Sequence, residues 1–173
     1  MKKLTLPLSK EQIKTLKAGE TVYLSGNIYT ARDCAHKRIK EYLDKGLPLP
    51  FELKGATIYY AGPCPAKPGM ACGSCGPTTS ARMNSFAPLL FDNGLNCVVG
   101  KGEMNDEVIS SIKKNACVYF AAIGGAGALY GKCIKKCELV AFGDLMSEAV
   151  YALQIEDFPA VVAIDCEGNS IYK

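Results

Sequence analysis

Residues 96–124 read "NCVVGKGEMNDEVISSIKKNACVYFAAIG", a strand, a helix and a second strand in succession. The two outer runs, "NCVVG" and "ACVYFAAIG", are short, continuous and apolar, which is typical of buried strands. Between them, "NDEVISSIKKN" carries apolar residues at helical spacing, and Asn105 is placed to cap its first turn. A strand–helix–strand unit of this kind predicts parallel strands joined by a helix.

The same alternation extends on both sides of this unit. We predict helices in residues 9–19 (capped by Ser9), 31–46, 79–91 and near 146–153, and strands in residues 21–30, 56–62, 134–142, 159–168 and 170–173. The predicted fold is α/β, a single compact domain spanning residues 1–173, with a mixed sheet flanked by helices. The last two strands resemble a β-hairpin at an edge.

The composition fits one folded domain and limits the partners. The chain has 173 residues, 49% hydrophobic and 21% charged, with a formal net charge of +3. It lacks the dense Lys/Arg runs of a nucleic-acid or membrane-surface protein, whereas small anions remain suitable ligands. No apolar run reaches the roughly 18 residues of a membrane span, and the first residues lack the apolar region of a signal peptide. We therefore expect a cytoplasmic protein.

Nine cysteines is a high count for such a chain. In a cytoplasmic protein we expect reduced thiols, and most of the isolated cysteines are expected to pack as small apolar residues. Cys72 and Cys75 form a CxxC pair, and Cys133 and Cys137 form a CxxxC pair in a predicted strand, so four thiolates for a metal are an alternative. We expect no metal site in this chain, because the first pair lies inside a glycine-rich loop. The glycine-rich run 124–131 matches neither phosphate-loop spacing and predicts close packing or a tight turn.

A concentration of polar groups marks residues 76–84, "GPTTSARMN", at the start of the predicted helix 79–91. Thr78 or Thr79 can cap the free N–H groups of that helix, following the break at Pro77. The same helix end can attract a carboxylate. Arg82 lies four residues after Thr78, so its guanidinium can bind that carboxylate in bidentate fashion.

Two further segments carry cations at positions where an anionic ligand could bind. In "TARDCAHK", residues 30–37, Thr30 is the predicted N-cap, and Arg32 then falls in the first helical turn, where a cation is disfavoured unless an anion binds it. The alternative is an exposed, salt-bridged helix that also carries His36, the only histidine. Lys101 follows the strand "NCVVG", and the carboxyl end of such a strand is where α/β proteins bind ligands. An exposed turn lysine is the alternative for that position.

Taken together, "TARDCAHKR", "YYAGPCPAKPGMACGSCGPTTSARM", "VVGKGEM" and "YFAAIGGAGAL" resemble the class I (iron–sulfur) fumarase family. The similarity is to its C-terminal part, which also occurs as a separate β subunit in two-subunit fumarases and in L-tartrate dehydratase. It covers nearly the whole chain. The resemblance implies a swivelling β/β/α domain that pairs with a larger α subunit carrying a [4Fe–4S] cluster, as an αβ or α2β2 assembly, with no cluster bound by this chain.

The resemblance also implies an activity and a set of site residues. The activity is hydration of fumarate to L-malate and the reverse, with dehydration of tartrate to oxaloacetate as the alternative. The family's substrate-binding side chains fall on Arg32, Thr78, Arg82 and Lys101, and Thr78 is implied in proton transfer. A stand-alone carboxylate-binding module, or a thiol or metal-binding module, is the alternative from a different class of protein.

Overall fold

Strands and helices alternate along the chain in the computed structural model, which describes residues 1–173. The strands are β1 (Lys2–Thr5), β2 (Thr21–Thr30), β3 (Thr57–Tyr59), β4 (Cys97–Gly100), β5 (Val118–Ala121), β6 (Ile134–Ala141) and β7 (Val150–Ile164). The α-helices are α1 (Lys10–Lys14), α2 (Asp33–Asp44), α3 (Ala87–Asp92), α4 (Asp106–Asn115) and α5 (Gly127–Cys133), and two 3-10 helices span Ser80–Met83 and Gly143–Glu148. The predicted α/β class and mixed sheet are confirmed.

The seven strands form one sheet in the order β1-β2-β3-β4-β5-β7-β6. Strands β1 to β5 pair in parallel, whereas the long strand β7 is antiparallel to its neighbours. Strand β7 also pairs with β2, with Val22 opposite Ala160 and Ile28 opposite Leu153. Strands β2, β3, β4, β5 and β7 therefore close into a ring, with β1 and β6 added at the outside.

Two apolar layers lie on the two faces of this sheet, which explains why the central strands are apolar throughout. Cys97 and Val99 of β4 belong to one buried cluster, which includes Phe120 and Phe158. Val98, between them, belongs to the other cluster with residues of α2, α3 and α4. Side chains alternate across a strand, so burial on both faces requires a continuous apolar run.

The predicted helix 79–91 is wrong as a single element. The chain forms the 3-10 helix Ser80–Met83, turns, and begins α3 at Ala87. Pro88 explains the break, since it has no N–H for a helical bond and its ring would clash with the carbonyl four residues earlier. In the first turn of a new helix, Pro88 carries neither cost.

Other boundaries also differ from the predictions. Strand β1 was not predicted, and Cys133 ends α5 whereas Cys137 lies in β6, so the two do not share a strand. Residues 146–153 are not a helix but the end of the second 3-10 helix followed by β7. The predicted terminal strand 170–173 is reduced to a single bridge between Ile164 and Ser170.

The glycine-rich run 124–131, for which close packing or a tight turn was predicted, leads into helix α5. Its glycines do allow close packing. A Cβ on Gly131 would lie 2.5 Å from the carbonyl oxygen of Gly73. A Cβ on Gly127 would lie 2.4 Å from the hydroxyl of Ser74. Helix α5 thus rests directly on the backbone of the loop that contains Cys72 and Cys75. None of the helices has the length and apolar character needed to cross a membrane.

Candidate active site

Three of the four predicted site residues follow the carboxyl ends of neighbouring parallel strands. Arg32 comes two residues after β2, and Lys101 comes directly after β4. Thr78 is distant in sequence from β3, but its N–H donates to the carbonyl of Tyr60 at 2.6 Å, one residue beyond that strand. Adjacent parallel strands end at the same edge, so the fold brings these residues to one edge of the sheet, where α/β proteins bind ligands.

Backbone pairing joins the Thr78 segment to Lys101. Thr79 and Lys101 form a parallel bridge, and the N–H of Ser80 donates to the Lys101 carbonyl at 2.9 Å. The Lys101 side chain passes over Gly124, because a Cβ built there would lie 3.4 Å from Lys101 Cδ. The ends of β4 and β5 therefore position both the lysine and the segment that contains Thr78.

Arg32 occupies the N-cap of α2, one position before the predicted first turn. Its side chain crosses the loop after β3, where a Cβ on Gly62 would lie 3.2 Å from Arg32 Cδ. The predicted N-cap, Thr30, is instead the last residue of β2, and its buried hydroxyl accepts a hydrogen bond from the Tyr151 N–H at 3.2 Å. Asp33 begins the helix and suits the positive end of its dipole.

Arg82 lies at the exposed side of this edge, in the 3-10 helix Ser80–Met83. That helix has only four residues, and Thr79 at its N-cap makes no side-chain capping bond. The predicted hydroxyl cap is therefore wrong, and the helix that follows it is shorter than predicted. None of Arg32, Arg82 and Lys101 belongs to an ion pair.

Behind Arg32 lies His36, which is fully buried and not part of an exposed salt-bridged helix face. The His36 Nδ1 atom lies 2.8 Å from the carbonyl oxygen of Arg32, so this nitrogen carries the proton and donates it. Burial lowers the pKa of His36 to about 4, and the ring is therefore neutral at pH 7. His36 acts on this edge by holding the backbone of Arg32, with its ring packed against Tyr60 at 5.4 Å between centroids.

Several buried polar atoms at this edge have no hydrogen-bond partner. They are Arg32 Nε, Asp33 Oδ1, His36 Nε2 and the hydroxyl of Tyr60. Buried polar groups are normally paired, so this set of unpaired ones makes the edge a candidate ligand-binding region. Burial also raises the pKa of Tyr60, which keeps its hydroxyl protonated and able to donate.

A second set of residues, which sequence reasoning missed, supports the Lys101 turn from below. Tyr119 on β5 donates from its hydroxyl to the Gly102 carbonyl at 2.8 Å and accepts from the Ser80 hydroxyl at 2.9 Å. Gly100 leaves room for this contact, because a Cβ there would lie 2.0 Å from Ser80 Oγ. In the sequence, these residues could have been found as polar groups inside otherwise apolar strands, of which Tyr119 is an example.

The four-thiolate alternative is not formed. No group of three or more His, Cys, Asp or Glu side chains is placed to hold a metal ion. The Cys133 sulfur lies 3.9 Å from the carbonyl oxygen of Asp157. Cys72 and Cys75 are instead buried in the loop on which α5 packs. All nine cysteines are free thiols.

Comparison with known proteins adds relatives to this geometry. The chain is 44% identical over 172 residues to a putative L(+)-tartrate dehydratase subunit beta of Methanocaldococcus jannaschii, covering 96% of this chain and 88% of the relative. It is 40% identical to fumarate hydratase 2 of Leishmania major, covering 98% of this chain and 31% of the relative. It is 37% identical to the anaerobic class I fumarate hydratase of Escherichia coli, again covering 31% of the relative.

The chain thus spans about a third of the length of these fumarate hydratases and most of the length of the tartrate dehydratase subunit. The sequence model of the family described as Fumarase C-terminus matches residues 1–173. The predicted resemblance is confirmed by this match and by the relatives. This chain belongs to the fumarase C-terminus family.

Proposed function

We propose that this chain is the β subunit of a hydro-lyase that interconverts fumarate and L-malate, with residues 1–173 forming one β-subunit-type domain. The observation that carries the proposal is that Arg32 and Lys101 follow β2 and β4 at the sheet edge to which Thr78 is bonded, and that neither they nor Arg82 form an ion pair. A four-carbon dicarboxylate carries two negative charges, which match such cations. The fumarate hydratases among the relatives support this substrate class.

In this proposal the cations bind and orient the two carboxylates. The guanidinium groups of Arg32 and Arg82 each present a planar fork that suits a carboxylate, and Lys101 supplies a compact point charge. The backbone of Arg32 is held by His36, and that of Lys101 is bonded to Ser80, so these contacts fix their positions before substrate binds. Orientation of this kind lowers the barrier without any change in the protein during reaction.

Thr78 is proposed to move the proton at the substrate carbon. Its N–H is bonded to the Tyr60 carbonyl, which holds the residue at the end of β3. A threonine hydroxyl is a weak base, and the neighbouring cations assist it because they favour its deprotonated form. Removing the hydroxyl with Thr78→Val should therefore lower kcat more than it changes KM.

Dehydration of tartrate is the second candidate, and a specific observation favours it. The relative with 44% identity is a separate subunit of similar length and is named as a tartrate dehydratase subunit. Tartrate differs from malate by one further hydroxyl, so both substrates present the same two carboxylates to the cations. A residue that faces the second hydroxyl must distinguish them.

We also propose a partner subunit, the α subunit, which carries a [4Fe–4S] cluster and completes the site as an αβ or α2β2 assembly. The named relative is itself a subunit, which supports a second chain. The residues of the present chain do not fit such a cluster, since no three potential ligands lie together. Its mixed ring of strands, with α2, α3 and α4 packed on one face, also supports the swivelling β/β/α type of domain.

The test is an anaerobic assay of the complex with fumarate, L-malate and both tartrate enantiomers. Arg32→Met and Lys101→Met should each lower kcat/KM by about 10- to 100-fold, because a bond to a charged group contributes about 1.5–3 kcal/mol. Arg38→Met is the matched control, since Arg38 lies on the same helix and pairs with Asp144 instead. Unchanged turnover in both site variants would remove these residues from the site.

A further inference from the structure

The proposed hydro-lyase chemistry does not use the loop between Cys64 and Cys75, which we call the cysteine loop. Its two ends are held together, because the Cys64 N–H donates to the Ser74 carbonyl at 2.9 Å and the Gly73 N–H donates to the Cys64 carbonyl at 3.1 Å. Cys75 is also anchored, with its N–H bonded to the Gly127 carbonyl at 3.0 Å. The loop is therefore fixed in position rather than free.

Cys72 and Cys75 are the two buried cysteines of this loop. The exposed fraction is 2% for Cys72 and 0% for Cys75. The interaction of each thiol with the other lowers the pKa of Cys72 and raises that of Cys75. The Cys72 thiol in turn lies 3.0 Å from the Gly73 carbonyl oxygen. The two thiols of a CxxC pair with unequal acidities can act as a nucleophile and a second thiol that follows it.

A surface cavity of about 350 Å³ reaches one member of this pair and not the other. Cys72 lines the cavity together with Cys64, Cys137, Met146 and Tyr151, whereas Cys75 does not line it. Of the two cysteines in the pair, only Cys72 can therefore be reached from the cavity. The cavity is large enough to admit the end of a low-molecular-weight thiol compound.

We propose that Cys72 and Cys75 are a disulfide-forming site that reacts with low-molecular-weight disulfides entering this cavity. The Cys72 thiolate attacks one sulfur of the disulfide RSSR, so that a Cys72–SR mixed disulfide forms and RS⁻ leaves. The Cys75 sulfur then attacks Cys72, the S–SR bond breaks, and a second RS⁻ leaves. The two cysteine protons end on the released thiols, so that two thiols and RSSR give one intramolecular disulfide and two RSH.

This inference goes beyond the proposed hydro-lyase function and does not depend on it. No group of three or more His, Cys, Asp or Glu side chains is placed to hold a metal ion, so we assign the pair to thiol chemistry. Cys137 and Cys64 are the competing partners, since both line the cavity with Cys72. The test must therefore distinguish a Cys72–Cys75 bond from the two other pairings.

The positions of the methionines allow the three possible pairings to be distinguished by cleavage after methionine. The full chain is treated with oxidised glutathione, its free thiols are alkylated with iodoacetamide, and it is cleaved after methionine with cyanogen bromide. Cleavage after Met70 and Met83 releases residues 71–83, whose only cysteines are Cys72 and Cys75. Mass spectrometry should show this fragment free of alkylation and of glutathione, lighter by two hydrogens than the reduced fragment. After reduction it should take up two alkyl groups.

Two variants and a denatured sample complete the experiment. Cys75→Ser should stop the reaction at the first step, leaving one glutathione on Cys72, whereas Cys64→Ser should leave the product unchanged. In urea, this selectivity should be lost. The proposal is overturned if residues 71–83 keep both alkyl groups while Cys64 reacts, or if they become linked to the fragment that holds Cys64 or Cys137.

Discussion

Gly100→Ala tests how closely the Lys101 turn is packed. The added Cβ would lie 2.0 Å from Ser80 Oγ and 2.9 Å from Tyr60 Cδ2, so Ser80 or its backbone must move. Insertion of a methyl group into a close-packed interior costs about 1–3 kcal/mol. Ser80 is fully buried and would also lose its bond to Tyr119, which adds about 1 kcal/mol for the lost hydrogen bond. We expect a total loss of about 2–4 kcal/mol in the free energy of unfolding.

Urea unfolding, followed by circular dichroism, measures this loss. With a slope of about 2 kcal/mol per M, the midpoint should fall by about 1–2 M. Gly124→Ala is the matched control, because its Cβ would meet Lys101 Cδ at 3.4 Å, an ordinary contact. The control should change the midpoint by less than about 0.3 M.

A double variant separates the two causes. Ser80→Ala removes the closest atom, so Gly100→Ala should cost less in that background than in the wild type, and the two changes should not be additive. Equal midpoints for Gly100→Ala and Gly124→Ala would refute the packing argument. If the losses in unfolding free energy were fully additive, the destabilisation by Gly100→Ala would not arise from contact with Ser80.

Three further predictions concern buried polar groups. His36 is the only histidine, and burial lowers its pKa from 6.5 to about 4, so its imidazole NMR signals should not titrate between pH 5.5 and 8. As the pH falls, the unfolded chain protonates its histidine before the folded chain does, so the free energy of unfolding should fall by up to about 3 kcal/mol from pH 6.5 to pH 4. An NMR titration midpoint near pH 6.5 for His36 would contradict its burial. Burial opposes ionisation of Asp165, but bonds from backbone N–H groups, including that of Ala18, outweigh it and lower its pKa. Stability should therefore decline further below about pH 4, with a shallower decline in Asp165→Asn, and equal slopes would argue against these bonds. Tyr119→Phe should cost about 1–3 kcal/mol in urea unfolding, whereas Tyr23→Phe, whose hydroxyl makes no hydrogen bond in the structure, should cost less.

The parts of the fold that were predicted correctly depend on local signals. Asn105 caps α4 through a 3.0 Å bond from the Val108 N–H, and the strands on either side are apolar on both faces. Lys101 was predicted because it follows a predicted strand directly, whereas Arg32 was predicted because a cation is disfavoured in a first helical turn. Such features are encoded within about ten residues of one another and can be recognised without knowledge of the rest of the chain.

The missed features depend on contacts between distant residues. Strand β1 has one buried residue, Leu4, and is a strand because it pairs with β2. Thr30 was given a capping role, but its hydroxyl bonds to β7, more than a hundred residues later. Helix 79–91 is broken partly by Pro88, which is visible in the sequence, and partly by the bond between Ser80 and Lys101, which is not.

The electrostatics of the site argue for a doubly charged substrate and a second protein surface. Arg32, Arg82 and Lys101 form no ion pair in the structure, so the two carboxylates of a dianion can each offset the charge of a different cation. Arg82 is exposed, whereas Arg32 Nε is buried without a partner, so the two guanidinium groups differ strongly in their contact with water. A dianion bridging them would be held firmly at the buried end and exposed to solvent at the other. Covering that open end with a partner subunit would exclude water and strengthen each charge interaction, which is a physical reason for placing the site between two chains.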